Sequence, residues 1–422
     1  MNEKLLHFIW QFQYFNHHQL TAESGEPIQI IHPGIANIHQ GPDFLEAKIR
    51  IGSTLLAGSV EIHIKTSDWH LHKHHLDQNY NNVILHVVWE NDKPDFINQK
   101  FQTLCIQPHV SSIMLKKYEE LMHSKAFVPC ESYLPVLNEI EWLNWKERLA
   151  TSRLQRKSQQ IIDLLHTNNG HWEETFWQLI AANFGIKVNA EIFMDMAKLI
   201  SINILAKHKY QIHQVEALLF GTLNLLPAAT PDDYTAILKR EYAFLARKFN
   251  LRKTEAAPLF LRMRPASFPS IRLAQLAALI HASSNLFSKI RDTEDFREVY
   301  NYFEITANDY WHYHYRLGDD PGDYKPKKTG RSMVNNIFIN TVVPALFAYG
   351  VFNQLQYFKD KALRWLEQTA AENNTVIKSW KRFHVQANNA LETQALLELK
   401  KQYCDVRRCL DCNVGRRIVS AK

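Results

Sequence analysis

The sequence predicts a mixed α/β unit followed by a large, irregular all-α domain, and three observations support this. Before about residue 110, apolar and polar residues alternate in short β-branched runs bounded by turn residues. After about residue 140, apolar residues recur every three or four positions through ten successive segments. The chain has 422 residues, 46% of them hydrophobic and 22% charged. That is enough for two or three packed cores and excludes a disulfide mini-protein, a collagen-like fibre and a disordered polyelectrolyte.

Residues 1–15 carry an apolar stripe interrupted by His7, Gln11 and Gln13, so they read as an amphipathic helix and not as an export signal. Strands are expected at 28–31, 47–51, 58–65 and 83–89. The polar segment 67–82 is long enough for a short helix or an ordered loop, and another extended piece is expected near 101–107. The order is therefore αβββαβ, assigned to residues 1–135. Residues 136–422 form the helical domain, where no fixed repeat appears, which favours an irregular bundle over a solenoid. Segment 318–331 combines glycine, proline and four basic residues and is expected to be an exposed, mobile loop. The apolar stretch 337–352 holds Asn340 and Pro344 and is shorter than the ~20 residues that span a bilayer. No membrane partner is expected. Five unevenly spaced cysteines do not make a secreted disulfide framework, so a reducing cytoplasm is the expected location.

A net charge of +6 over this length does not identify a partner, but histidine is concentrated. Twelve of the 21 histidines fall in the first 110 positions, six of them between His63 and His86. They adjoin the strand Gly58-Ser-Val-Glu-Ile-His-Ile-Lys65. Alternation puts Glu61, His63 and Lys65 on one face and Val60, Ile62 and Ile64 on the other. If the preceding strand pairs antiparallel through the turn near 52–54, Asp43 of Gly41-Pro-Asp-Phe44 returns beside Glu61. Two such carboxylates suit Mg²⁺ or Mn²⁺. An ion there can bind a phosphate oxygen and lower the pKa of an attacking water, as phosphodiester hydrolysis requires.

Pro42-Asp43, a seventeen-residue gap and Glu61-Ile62-His63 in an αβββαβ order resemble the motif of the PD-(D/E)XK nuclease superfamily. The resemblance implies that Asp43 and Glu61 are metal ligands and that His63 takes the place of the usual catalytic lysine. Histidine lacks lysine's permanent charge near neutral pH, though it can act as a base, a phosphate partner or a third ligand; Lys65, on the same face, could partly substitute. At family level the whole chain resembles a bacterial family, domain of unknown function 2851. The residues that carry this are Gly41-Pro-Asp-Phe44, Val60-Glu-Ile-His63, Ser67-Asp-Trp69, Tyr80-Asn-Asn-Val-Ile-Leu-His86, Arg264-Pro265, Phe268-Pro269, Ile271 to Leu276, Tyr403-Cys404 and Cys409 to Cys412. This second resemblance implies an architecture and no activity.

Within Ser67-Asp-Trp-His-Leu-His-Lys-His-His-Leu-Asp77, a helix would align His70 with His74, whereas an extended segment would align His70, His72 and His74. Either could add imidazole to the metal site, with His72 the first choice, and would favour Mn²⁺, Zn²⁺ or Fe²⁺ over Mg²⁺. Ser67-Asp68 could instead cap the following helix, with His86 a satisfied core residue. Cys404, Cys409 and Cys412 supply three of the four soft ligands for zinc or an iron–sulfur cluster, with Cys130 the candidate fourth; Cys105 is expected in the sheet. Nucleic acid, DNA or RNA, is the expected partner. Its candidate contacts are Arg153, Arg156 and Lys157 on one helix, Arg262, Arg264 and Arg272 around two prolines, and Lys327, Lys328 and Arg331 in the loop. Trp142, Trp145, Trp172 and Trp177 are expected in the core. The expected function is metal-dependent nucleic-acid hydrolysis; the alternative is an inactive scaffold of the same fold that binds nucleic acid or protein.

Overall fold

The computed structural model describes residues 1–93, 100–261 and 263–421. Its N-terminal part is a mixed α/β structure around one sheet, and the larger remainder is helical. Two compact units form, one of residues 1–142, 382–385 and 399–422, the other of 143–381 and 386–398. The first boundary falls a few residues beyond the expected 135/136. The larger difference is that 399–422, expected in the helical domain, belongs to the N-terminal unit.

In the N-terminal unit, α1 (Glu3–Gln11) starts where the Asn2 side chain accepts from Leu5 N–H and buries Leu5, Leu6, Phe8, Ile9 and Trp10. The strands are β1 (Ile28–His32), β2 (Ile35–Ala36), β3 (Phe44–Ile51), β4 (Thr54–Lys65), β5 (Val83–Glu90) and β6 (Gln102–Cys105). They are ordered β1-β3-β4-β5-β6, with β2 also paired to β3. The β3 and β4 strands pair antiparallel, while β4, β5 and β6 run parallel. Parallel central strands are covered on both sides. Accordingly Gly58 to His63 and Val83 to Val88 are buried without interruption, rather than having one face in a cleft. Between β4 and β5, α2 (Asp68–Leu71) and two single 3₁₀ turns fill the polar connection; α3 (Ser112–His123) follows the sheet.

In the helical unit, α4 (Glu139–Thr167), from Leu143 onward, is followed by helices at Trp172–Phe184, Ile186–Leu199, Ile212–Thr222, Asp233–Phe249 and Pro269–Ala282, among others. Trp145 and Trp177 are buried in this unit, and Trp142 in the other. Arg331–Phe352 is one helical run of 22 residues with a π turn at Phe338–Val342. It is longer than the apolar stretch 337–352 because the turn beginning at Arg331 joins the same run. By length and composition it could cross a membrane, yet 72% of its apolar window is buried inside the protein, the packing of a core helix. Segment 318–331 is anchored at its end and is not a free loop: Ala307 N–H donates to Lys327 O at 3.1 Å and Thr329 N–H to Ile305 O at 2.9 Å.

Candidate metal centre

Register brings the two carboxylates together. Phe44 pairs with Val60, so Asp43, one residue before β3, arrives at Glu61. Asp43 N–H donates to Glu61 Oε2 at 3.1 Å, and Ile62 N–H donates to Asp43 Oδ2 at 3.0 Å. A bulge between Phe44 and Ala47, with Glu46 at φ +59°, bends β3 here. Gly41 at φ +111° makes the turn into Pro42, a conformation that favours glycine, and its carbonyl accepts from Tyr80 Oη at 3.3 Å. From α1, His7 Nε2 reaches within 3.3 Å of Asp43 Oδ2.

The histidines gather on Glu61. His63 follows it by two residues on β4, hence on the same face, and both are buried. The segment after α2 is neither of the two expected shapes. Lys73 adopts a left-handed conformation, φ +61°, which turns the chain so that His72 and His74, on either side of it, both point to His63. His63 Nε2 lies 3.1 Å from His72 Nδ1 and 3.3 Å from His74 Nε2. Glu61 Oε1 lies 3.5 Å from His63 Nε2 and 3.3 Å from His74 Nε2. One ligand nitrogen from each of the three histidines fits within a 4.8 Å group. Ligands held about 2.0–2.2 Å from one ion are roughly 3–3.5 Å apart, so this spacing fits a single cation.

Behind this group, His63 Nδ1 meets His86 Nε2 at 2.9 Å. If His63 donates there, its Nε2 lone pair faces His72 and His74, the tautomer a metal ligand needs. Among the described residues His86 Nδ1 meets no hydrogen-bond partner, which differs from the satisfied core histidine weighed from the sequence. Tyr80 stacks on His74 at 3.9 Å, and Trp69 packs on His74, His86 and Phe101. These aromatic walls fix the ring orientations.

Electrostatics follow from burial. Glu61 is pushed up to about 9, first by desolvation and then by the Asp43 charge. Desolvation and the neighbouring His74 and His72 lower His63 to about 4; desolvation and His63 lower His86 to about 3. His74 is lowered by desolvation and His72. Tyr80 is raised to about 12 by desolvation, then by Glu61 and Asp43. A divalent cation at the meeting point would reverse the Glu61 shift by stabilising the carboxylate, whereas the lowered histidines already offer the neutral imidazole lone pairs that such a cation binds. Imidazole nitrogens where an oxygen site was expected for Mg²⁺ or Mn²⁺ favour Mn²⁺, Zn²⁺ or Fe²⁺.

Several expected residues stand elsewhere. Lys65 is exposed at the end of β4, where its N–H donates to Asp68 Oδ2. Ser67 and Asp68 do not cap α2, because Ser67 Oγ donates to Asp92 at 2.6 Å while Asp68 accepts from Lys65. The rings of His70 and His75 pack against each other at a tilt, 4.7 Å apart, outside the metal group. In the helical unit, Arg153 and Arg156 bind Glu398 at 3.2 and 2.7 Å, and Lys157 Nζ donates to Asn340 at 2.8 Å. Arg272 bonds Gln275, and Lys327 is buried with its ammonium on the carbonyls of His312 and Lys325. Cations neutralised internally or held on the protein's own acceptors are poor phosphate contacts, so this part of the expected track is corrected. Arg264, Lys328 and Arg331 remain exposed; Arg262 lies outside the described residues.

Cys105 lies in the sheet, as expected. It ends β6 and donates to Trp89 O at 3.3 Å. Cys130, Cys404, Cys409 and Cys412 are reduced and buried in the N-terminal unit. The same unit contains a groove of about 440 Å³ that runs from His7 and Asp43 past Lys4 to Arg407, Arg408 and Arg416. Motif spacing could not show this basic wall, because Asp43 and Arg408 are 365 residues apart.

A family model described as "Protein of unknown function (DUF2851)" matches residues 3–375. The match includes every residue of the histidine centre and ends before Cys404, Cys409 and Cys412, which the sequence resemblance had counted among its residues. No curated protein and no solved structure matches the chain.

Proposed function

We propose that this chain, which belongs to the DUF2851 family of proteins of unknown function, is a metal-dependent phosphodiesterase acting on nucleic acid. One observation carries the proposal: His72 and His74 lie 3.1 and 3.3 Å from His63, and Glu61 lies 3.5 Å from His63 and 3.3 Å from His74, beside Asp43 on a mixed α/β framework. Glu61, His63, His72 and His74 would hold the ion. When bound, it would draw electron density from a phosphate oxygen and make a water acidic enough to attack.

The protein's own groups do the remaining work. His86 orients His63 through the 2.9 Å contact. The Ile62 amide fixes Asp43, the more exposed of the two carboxylates, with His7 at 3.3 Å. Asp43 and His7 together can accept the proton of an attacking water and return it to the leaving oxygen. Lys4, Arg407, Arg408 and Arg416 line the groove beside Asp43 and suit a polyanionic backbone.

The test is incubation of the purified chain, loaded in turn with Mn²⁺, Zn²⁺ and Mg²⁺, with labelled single- and double-stranded DNA and RNA. Metal-dependent cleavage that disappears in Glu61→Gln and His72→Ala supports the assignment. Cleavage that survives Glu61→Gln overturns the site. Binding without cleavage under every metal leaves a nucleic-acid scaffold in its place.

A further inference from the structure

None of the five cysteines takes part in the chemistry proposed above, and four of them are buried in the N-terminal unit outside the sheet. Cys404 ends the π turn Lys400–Cys404, Cys409 opens the 3₁₀ turn Cys409–Asp411, and Cys412 precedes the last helix, Asn413–Ser420. This segment folds on itself: Arg407 N–H donates to Cys404 O at 3.3 Å, Cys412 N–H to Cys409 O at 3.2 Å and Arg416 N–H to Cys412 O at 2.8 Å. The last helix approaches so closely that a Cβ on Gly415 would lie 2.2 Å from Cys409 O. Cys130 comes from far earlier in the chain. Its neighbourhood is tied to the C-terminal segment by the Arg407 guanidinium, which donates to Ser124 O, and by the Lys400 ammonium, 5.1 Å above the Phe127 ring.

The four side chains are 5–7% exposed. Each thiol's environment includes the others: Cys130 feels Cys412 and Cys409, and Cys404 feels Cys412, Cys130 and Cys409. Among the described residues only the three histidines place their ligand atoms within 4.8 Å of one another, so the thiols stand more openly than the ligands of one ion and either turn inward on a single cation or span a larger cluster.

We propose that Cys130, Cys404, Cys409 and Cys412 bind one metal centre through four thiolates, either a zinc ion or an iron–sulfur cluster. A closed, buried set of four soft ligands is a structural site. Arg407, Arg408 and Arg416 lie within four residues of a proposed ligand and line the groove beside Asp43. The centre therefore holds the basic wall in place. Only this last consequence rests on the nuclease proposal.

The full chain, purified without oxygen, tests the site through metal analysis and visible absorbance. About one zinc per chain, or iron with sulfide and a broad visible chromophore, is expected, and the two results distinguish the alternatives. The metal should persist in His63→Ala/His72→Ala, which removes the other centre, and in Cys105→Ser, and should be lost in Cys130→Ser and Cys409→Ser. If those cysteine variants do not fold, alkylation of the unaltered chain decides: four thiols should become reactive only after a chelator is added. Cobalt reconstitution should also give the intense charge-transfer bands of a thiolate-rich tetrahedral site. A chain that holds neither zinc nor iron, takes up no cobalt at the thiols and leaves them equally reactive with and without chelator overturns the proposal. So does full metal content in Cys130→Ser together with the histidine substitutions. Loss of cleavage with this metal retained would count against the histidine centre alone.

Discussion

The histidine and cysteine clusters occupy the same unit, but the histidine centre draws its ligands from residues 61–74 whereas Cys130 is distant in sequence from Cys404, Cys409 and Cys412, and their surroundings differ. Cys130, Cys404, Cys409 and Cys412 are uniformly buried and all soft. The histidine group is graded, with His63 buried, His74 half-buried and His72 exposed, and it shares its space with Glu61 beside Asp43. A closed site can fix the chain but offers no coordination position to a substrate. An open site gives up some rigidity for access. One unit thus carries both arrangements, and ligand type together with exposure separates a structural role from a chemical one.

The largest expected difference between them is in stability. Structural four-thiolate zinc contributes on the order of 10 kcal/mol. Cys409→Ser should therefore abolish or sharply lower the thermal transition of the N-terminal unit, followed by circular dichroism, while His72→Ala, at an exposed ligand, should leave it within a few degrees. Equal losses would break the comparison. Activity should show the reverse order. Glu61→Gln should lower cleavage by at least ~100-fold, because the carboxylate ligand is gone, with little change in melting of the metal-free chain.

A third prediction asks whether burial alone makes a carboxylate functional. Glu216 is fully buried in the helical unit and raised to about 7 by desolvation, but its oxygens accept from Tyr234 Oη and Trp311 Nε1 rather than facing imidazoles. The folded chain keeps a proton that the unfolded chain releases near pH 4.5. Its contribution is therefore complete below 4.5 and is lost as pH rises through about 7. Roughly 3 kcal/mol of stability should disappear over that window in urea titrations, and Glu216→Gln should flatten the profile without affecting cleavage. A loss of cleavage would mean that burial, and not the ligand set, marks the active carboxylates. The smallest effect belongs to the groove. Arg416→Gln should weaken nucleic-acid binding a few-fold and reduce the salt dependence by about one phosphate contact. An unchanged salt slope would remove the groove from the substrate path.

The hydrophobic periods placed the strands and most long helices, because burial of one face imposes a period of two or three and a half whatever the partner. The carboxylate pair was legible for a related reason: antiparallel register carries Asp43 back to Glu61 once the turn is known. His63 was legible by alternation. His7 was missed because no local spacing ties a helix face at the start of the chain to a strand end. His74 was aligned with His70 by a helix or with His70 and His72 by an extended segment, since a left-handed Lys73 cannot be anticipated from a run of polar residues. The basic helix face misled because its partners, Glu398 and Asn340, lie more than 180 residues downstream.

By itself, then, the sequence determined the α/β and helical halves, the Asp43–Glu61 pair and the presence of two ligand-rich clusters. These depend on periodicity, register and composition, all of which are local. Tertiary structure decided which imidazoles share one point, which cations are neutralised by the protein's own acceptors, and that 399–422 closes on the N-terminal unit. Those outcomes depend on distances between residues far apart in the chain, and burial then sets the charge each group can carry. Local spacing can propose ligands, but convergence and desolvation select among them.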